Sequence, residues 1–265
     1  MKYLILLFSY FALAQSQGRC NVNTFSLCKT GLCQNTGMDP NQARNLFTNW
    51  TIMYNQFLTL FGQNPGTTQG MLQVCNGIET FNLCMFGNMD CMFMGYLANQ
   101  TDDIVQAFMS RGVYDMYSNF NCGPGINTLL HEGLACSQRI MSGYQNTLQA
   151  CVTTYQSSVT HDPSNGCQYA TGLINCWSAP FYTAPCRRER SADVWWACES
   201  NRRLTWRQFP NCNLSCDLVR GPFATEEYLD THHKVIDGVH HFKIPDYIDL
   251  VDGKKVKVEG PWMHD

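Results

Sequence analysis

The sequence lacks the cysteine pairs that mark metal sites and redox couples. No C-x2-C pair occurs among its fifteen cysteines, and the nearest spacing is C-x3-C, from Cys212 to Cys216. Zinc knuckles usually contain a C-x2-C pair, and thioredoxin-like redox sites need one as well. These absences argue against a zinc-binding module and against a thiol oxidoreductase.

Recognisable catalytic motifs are also missing. The chain has no G-x-S-x-G elbow, H-E-x-x-H helix or P-loop. His161-Asp162 is similar to the His-Asp pair of secreted phospholipases A2, but the cysteines directly before that histidine and the calcium loop are absent. Asp162 fits better as a helix cap ahead of Pro163. We therefore expect a non-enzymatic protein without a cofactor.

Charge and long apolar runs are scarce. Charged residues make up 15% of the chain, and the formal net charge is −3 at pH 7. After Lys2, one apolar run ends at Ala14 and is too short to span a bilayer, and no later run is long enough. With small residues at Ala14 and Ser16, residues 1–16 are predicted to be a secretory signal peptide. The mature chain is then extracellular with no transmembrane segment, and its 17 basic and 21 acidic residues, a net charge of −4, give no reason to bind nucleic acid.

Cysteine, by contrast, is abundant. In the oxidising compartment that a signal peptide implies, the cysteines are predicted to form a disulfide framework, whose pairing the sequence leaves open. Fifteen is odd, so at most seven intrachain bridges can form. The remaining thiol is either free and buried or links two chains as a dimer. The cysteines are Cys20, Cys28, Cys33, Cys75, Cys84, Cys91, Cys122, Cys136, Cys151, Cys167, Cys176, Cys186, Cys198, Cys212 and Cys216.

Helical periodicity dominates the cysteine-containing region. Asp39-Pro40, Thr101-Asp102-Asp103 and Asp162-Pro163 are predicted to begin helices, and another helix is expected around residues 192–200. Apolar stripes at helical spacing are interpreted as core. The stripes comprise Leu46, Trp50, Met53, Phe57, Leu60 and Phe61; Ile104, Val105, Phe108 and Met109; Ile140, Tyr144, Leu148, Cys151 and Tyr155; and Cys167, Leu173, Ile174 and Cys176.

One cysteine pattern occurs twice. C-x8-C-x6-C from Cys75 is echoed by C-x8-C-x9-C from Cys167. The repeat predicts two related helical modules, residues 17–122 and 123–216. The fold class is therefore predicted to be mainly α and disulfide-rich.

Residues 217–265 differ in composition and form a predicted β-hairpin extension, part of which we expect to lack order. They contain no cysteine but ten of the 21 acidic residues and five of the seven histidines. Asp237-Gly238 and Asp252-Gly253 each separate two β-rich runs, a strong hairpin signal. Pairing Ile236 with Val239 would place two histidine pairs on opposite faces, as weak candidates for a Zn²⁺ or Cu²⁺ site. Without a clear third ligand, solvated histidines are favoured; the pairs are His232 with His241 and His233 with His240.

Three sequons mark candidate N-glycosylation sites at Asn49, Asn99 and Asn213. Asn99 is the best placed, next to a predicted helix start. Asn49 falls inside a predicted helix and Asn213 lies between two cysteines, so either site could escape modification.

The cysteine spacing also carries a family resemblance. The segments NFNCGPGINTLLHEGLAC and YQSSVTHDPSNGCQYATGLINC, within helices joined by C-x8-C triplets, resemble the cysteine-rich secreted domains expanded in nematodes. Many of those domains have no known function, and a related-looking set includes the cysteine-rich domain of eggshell chondroitin proteoglycans. The resemblance covers roughly Cys20 to Cys216. It implies an extracellular, non-enzymatic helical domain without an established ligand.

Together these features predict an extracellular binding or matrix role, with an unidentified macromolecule as partner. One alternative is a carrier of a small apolar ligand; a secreted hydrolase is a second and weaker alternative. The carrier would line its cavity with the methionine-aromatic cluster, although core packing is the favoured explanation of that cluster. Its members are Met85, Phe86, Met92, Phe93 and Met94.

Overall fold

The computed structural model describes residues 20–132, 134–183 and 192–216, together with five short strands between residues 233 and 264. The predicted signal peptide lies outside the described residues. Within them the chain is mainly helical and disulfide-rich, which confirms the predicted fold class at that level.

Ten α-helices follow one another in the described part of the chain. Short 3₁₀ segments lie at Pro40–Asn45, Met89–Met92 and Pro163–Asn165, and a π-helical turn at Tyr117–Asn121 continues the fifth helix. The α-helices are α1 (Val22–Asn35), α2 (Trp50–Gly62), α3 (Gln69–Cys84), α4 (Met94–Ala98), α5 (Ile104–Met116), α6 (Pro124–Glu132), α7 (Leu134–Gly143), α8 (Gln145–His161), α9 (Gly166–Thr183) and α10 (Ala192–Trp206).

Polar side chains define where several helices begin. Asp103 accepts a hydrogen bond from the backbone N–H of Val105 (2.9 Å) and caps α5, as the sequence predicts. Asp39 caps only a 3₁₀ segment, and the chain then leaves the helical path until Asn49 caps α2. The prediction of one continuous helix from Asp39 was therefore wrong, because a second cap interrupts it.

The stripe from Ile140 to Tyr155, which was predicted to be one helix, also falls on two helices. Ile140 belongs to α7 and Leu148 to α8, and the intervening Tyr144 has non-helical backbone angles and is 42% exposed. Ile104, at the first position of α5, is 54% exposed instead of buried. Most other stripe residues are buried as predicted; Phe108 is half-buried and Cys167 and Cys176 lie at the surface. The predicted helix at residues 192–200 is confirmed and extends to Trp206.

The helices share a single apolar core that extends from Phe25 to Cys216. Helix α2 packs against α5 and α7, and α10 packs against α5, so the two predicted modules contribute to the same interior. Trp177 on α9 donates a buried hydrogen bond to the hydroxyl of Tyr54 on α2 (2.8 Å). The same hydroxyl donates a hydrogen bond to the carbonyl oxygen of Leu148 on α8 (3.3 Å). These contacts join the halves through both packing and polar bonds.

Six disulfides lie within the described residues, and none of them links residues 20–122 to residues 123–216. Each closes a loop that restricts the unfolded chain, worth typically about 2–4 kcal/mol. The bridges are Cys20–Cys91, Cys28–Cys84, Cys75–Cys122, Cys151–Cys176, Cys167–Cys212 and Cys198–Cys216.

Five strands lie in the C-terminal part. They are β1 (His233–Ile236), β2 (Val239–Lys243), β3 (Tyr247–Val251), β4 (Lys254–Val258) and β5 (Trp262–His264). Antiparallel pairing gives one sheet in the order β1-β2-β5 and a second sheet of β3 and β4. Ile236 is paired with Val239 in the register between β1 and β2.

Candidate functional site

The surface loop between Cys84 and Cys91 is held by a disulfide at each end. Cys84 is bonded to Cys28 at the start of the loop, and Cys91 is bonded to Cys20 at its end. Gly87 adopts φ +77°, a left-handed conformation that a residue with a side chain rarely takes, and this turns the chain. Two crosslinks and one tight turn thus hold the loop in a single shape.

Hydrogen bonds fix the same loop to the start of α1. The buried amide side chain of Asn88 accepts a hydrogen bond from the backbone N–H of Asn21 (2.7 Å) and donates one to its carbonyl oxygen (3.1 Å). Asn21 is itself the N-cap of α1. On the other side, Arg111 of α5 donates to the carbonyl oxygen of Met92 (2.5 Å). The loop is therefore preorganised by polar contacts as well as by disulfides.

The anchored loop presents large apolar side chains to solvent. Phe86 is 89% exposed, and Leu83 and Phe93 are 69% and 57% exposed. Leu27, directly before the cysteine bonded to Cys84, is 70% exposed. We call the group of Leu27, Leu83, Phe86, Met89 and Phe93 the Phe86 surface.

The methionine-aromatic cluster is thus divided between core and surface. Met85 and Met92 are buried, as core packing predicts, and Met94 is partly buried. Phe86 and Phe93 point outward, so the core assignment was wrong for them, because the turn at Gly87 reverses the chain between two buried methionines.

The free thiol is Cys33 among the described cysteines, and its side chain is fully buried in α1. Burial, opposed by the nearby Lys29 and reinforced by Asp39, raises the pKa of Cys33 to about 11. A buried protonated thiol cannot reach a second chain, so Cys33 is not the link of a disulfide dimer. Cys136 is disulfide-bonded as well, and Cys186 lies outside the described residues.

Two buried carboxylates are each held by two arginines. Glu199 accepts hydrogen bonds from Arg202 and Arg203 on its own helix (each 2.7 Å), and Asp115 accepts from Arg111 (2.9 Å) and Arg207. Burial lowers the pKa of Arg111 despite its ion pair with Asp115. The sequence analysis missed both groups, although their i,i+3 and i,i+4 spacings were a detectable helical signal. The Asp115–Arg207 pair connects α5 to the residue that follows α10, whereas the Glu199 pairs lie within α10. Both arrangements suit a structural role.

His161 and Asp162 occupy the junction of α8 and α9. The Asp162 carboxylate accepts hydrogen bonds from the backbone N–H of Ser164 (3.1 Å), from its hydroxyl (2.5 Å) and from the amide of Asn165 (2.7 Å). The bonds from Ser164 and Asn165 hold the pKa of Asp162 below its usual value. The predicted cap is confirmed: Asp162 caps the 3₁₀ turn that leads into α9.

All three sequon asparagines are exposed. Asn49 precedes α2 instead of lying inside it, which corrects the predicted position. Its Oδ1 accepts hydrogen bonds from the backbone N–H (3.2 Å) and the hydroxyl (2.7 Å) of Thr51.

The histidine pairs fall only partly within the described strands. His233 and His240 lie diagonally across β1 and β2, opposite Phe242 and Val235, whereas His232 lies outside the described residues. His241 is opposite Lys234. Among the described residues there is no group of three or more His, Cys, Asp or Glu side chains placed to hold a metal ion.

A groove of about 570 Å³ runs between α8 and α9 beside the Cys151–Cys176 bridge. Leu173 and Tyr155 contribute apolar surface, and threonines such as Thr154 line its edge. A Cβ added to Gly172 would meet no atom within 4 Å, so the groove is open above this glycine. Its volume lies within the range of small-molecule sites, roughly 300–1,000 Å³.

Comparison with protein-family models, curated proteins and solved structures found no match to this chain. None of the described helices has both the length and the hydropathy needed to cross a membrane.

Proposed function

We propose that this protein is a secreted, non-enzymatic binding protein with a matrix or structural role outside the cell. The disulfide framework supports this proposal, because such frameworks form and persist in oxidising compartments. The predicted N-terminal signal peptide and the resemblance to nematode cysteine-rich domains favour the same location. The three exposed sequon asparagines suit N-glycosylation in the secretory pathway.

The observation that carries the binding role is the Phe86 surface. Exposed aromatic residues cluster at protein interfaces, and rigid ones bind more tightly because little conformational entropy is lost. Phe86 projects from a loop held by Cys28–Cys84 and Cys20–Cys91. Large exposed apolar side chains that are grouped on a rigid support suit an interaction site.

The two-module organisation belongs to the same proposal. Cys75 and Cys167 begin the two cysteine triplets, and they are bonded to Cys122 and Cys212, about 45 residues further along in each case. The second cysteine of each triplet is bonded to an earlier helix. This shared pattern is what duplication of one ancestral module would produce, and two modules suit a protein that connects other molecules.

The test replaces Phe86 with serine in the full chain secreted from eukaryotic cells. We expect the wild-type protein to be retained in the insoluble matrix deposited by those cells. Retention of F86S should fall by about tenfold or more, since interface hot spots contribute about 2 kcal/mol or more. Because Phe86 is 89% exposed, the midpoint of unfolding should not change.

Leu72→Ser is the matched control, because Leu72 is an exposed leucine of α3 outside the Phe86 surface. It should be retained like the wild type. Absence of wild-type retention, or equal retention of F86S, would contradict the proposed role.

The groove between α8 and α9 favours a second candidate function, transport of a small apolar ligand. A carrier of this kind should leave the cell with its ligand bound, and native mass spectrometry would detect the additional mass. Gly172→Phe fills the open space above α9 and should abolish that mass. Gly31→Phe is the control, since Gly31 also faces open space but lies on α1. If the wild-type protein carries no additional mass, or if G172F keeps it, the carrier function is wrong.

A further inference from the structure

A second cleft lies between α1, the 3₁₀ segment Pro40–Asn45 and the end of α4. Its volume is about 580 Å³. The buried aromatic rings of Phe25, Phe47 and Tyr96 contribute to its walls. None of its lining residues belongs to the Phe86 surface, and the sequence analysis did not single it out.

Two cations line this cleft without acidic partners. The Nζ atom of Lys29 donates a hydrogen bond to the carbonyl oxygen of Arg44 (3.3 Å) and lies 4.8 Å from the ring centroid of Phe25. The side chains of Lys29 and Arg44 form no ion pair with any described carboxylate. Burial lowers the pKa of Lys29, which is the mark of a partly desolvated ammonium group. An anion in the cleft would supply the missing counter-charge.

The acidic residue nearest to Arg44 in the sequence is Asp39, and its carboxylate binds a neighbouring residue of its own segment. Asp39 accepts hydrogen bonds from the backbone N–H (2.9 Å) and the side-chain amide (3.0 Å) of Asn41, and it is not part of the cleft lining. Among the described residues, no carboxylate lines the cleft. In a chain whose formal net charge is negative, this concentration of positive charge is a local exception.

Hydroxyl and carboxamide side chains also line the cleft, beside apolar ones such as Val22 and Leu97. Ser26, Asn45, Thr48 and Gln100 line the cleft, and their side chains make no hydrogen bond within the described structure. Hydroxyl and amide groups can both donate and accept hydrogen bonds. They suit a ligand rich in hydroxyl groups better than an alkyl chain, which would leave them unpaired.

We propose that this cleft binds an acidic sugar unit of an extracellular polysaccharide. Lys29 and Arg44 pair with its carboxylate or sulfate group, and the unpaired hydroxyl and amide groups bind its hydroxyls. The proposal rests on the extracellular binding role proposed above and names a ligand class for it. A charge-assisted hydrogen bond contributes more than a neutral one, so the two cations determine affinity.

The experiment is titration calorimetry of the full secreted protein with three probes. Dextran sulfate oligosaccharides carry sulfate, oligogalacturonate carries carboxylate, and dextran oligosaccharides carry no charge. We expect one or both acidic probes to bind and neutral dextran not to bind. Binding of dextran sulfate alone identifies sulfate as the recognised group, and binding of oligogalacturonate alone identifies the carboxylate.

Variants separate the cleft from general attraction to polyanions. Arg44→Gln should weaken binding by roughly tenfold, because one charge-assisted contact is lost. Arg44 is exposed and its side chain makes no hydrogen bond or ion pair with a described residue, so this variant should fold normally. Lys29→Gln should weaken binding similarly. A near-ultraviolet circular dichroism spectrum like that of the wild type verifies that this variant is folded. Arg139→Gln removes an exposed charge on α7 and should bind like the wild type.

Absence of binding by both acidic probes would overturn the proposal, as would equal losses in the Arg44→Gln and Arg139→Gln variants. The matrix-retention assay tests the general role separately, because it depends on Phe86. If the protein is retained in the matrix but binds neither acidic probe, the acidic-sugar proposal is wrong and the general binding role stands.

Discussion

At the scale of single residues, burial decides what the odd cysteine does. Counting cysteines predicts one unpaired thiol but does not identify it, because a count does not show which cysteine is buried. Cys33 follows the apolar Leu32 within α1, and both side chains are buried. Its surroundings keep the thiol protonated, so it behaves as a small apolar side chain.

We expect Cys33 to resist alkylation in the folded protein. With a pKa of about 11, roughly one thiol in a thousand is ionised at pH 8, and thiolate is the reactive form. A maleimide should therefore leave the native protein unlabelled for hours and label it once in guanidinium. Mass spectrometry of the Cys33 peptide provides the measurement.

Cys33→Ala is the control and should remain unlabelled at this position under both conditions. Rapid labelling of the native wild type, or a dimer that separates only on reduction and disappears in this variant, would contradict the buried assignment.

At the scale of helices, close contact between α5 and α10 depends on one glycine. A Cβ at Gly112 would overlap the carbonyl oxygen of Leu204 on α10. Backbone atoms cannot rotate away as a flexible side chain can, so the two helices would have to separate. The Asp115 carboxylate of α5 also forms an ion pair with Arg207, the residue directly after α10, and this pair tolerates little displacement.

Gly112→Ala should therefore destabilise the folded protein, by about 1–3 kcal/mol as in other overpacked cores. Denaturant unfolding with the disulfides intact measures the change.

Gly31→Ala provides the opposite expectation. This glycine lies within α1 with open space above it, so alanine should raise stability by about 0.5–1 kcal/mol. Equal effects of the two substitutions would show that the packing of Gly112 does not matter.

The helical stripes predicted most of the core but not the ends of the helices. Asp103 and Asp162 are recognisable as caps because aspartate accepts hydrogen bonds from the first N–H groups of a helix. Asn49 was not recognised as a cap, because it lies within an apolar stripe that continues on both sides of it. Its hydrogen bond with Thr51 is visible only in the structure. Helix α3 was not predicted, because it contains Gly70 and Gly77 and glycine disfavours helices. Close packing against neighbouring atoms leaves no room for a Cβ at either position, and this is visible only in the structure.

At the scale of the whole molecule, covalent and non-covalent organisation differ. The six described disulfides remain within one half or the other, while the apolar core and the Tyr54–Trp177 hydrogen bond cross between halves. Cysteine spacing could suggest the repeat, since related modules preserve such spacings. It could not reveal the shared core, because contacts between distant helices have no local signature.

The candidate sites were predictable to different extents. The segment that carries Phe86 was noticed because of its methionines and aromatics, but the sequence could not show which of them face outward. The cleft of Lys29 and Arg44 brings together residues fifteen positions apart in different elements. Neither residue stands out in a linear reading of a chain with eighteen basic side chains.

The placement of Phe86 between two crosslinked cysteines has a consequence for proteolysis. An aromatic so accessible is a natural target for digestive enzymes that cut after large hydrophobic residues. Cutting the backbone there would release no fragment, because Cys20–Cys91 and Cys75–Cys122 both connect the two sides of the break. The damaged molecule would keep its mass, apart from one added water, until a reductant separated the pieces. Such tolerance of cleavage suits a protein that must last in a hostile environment without being replaced.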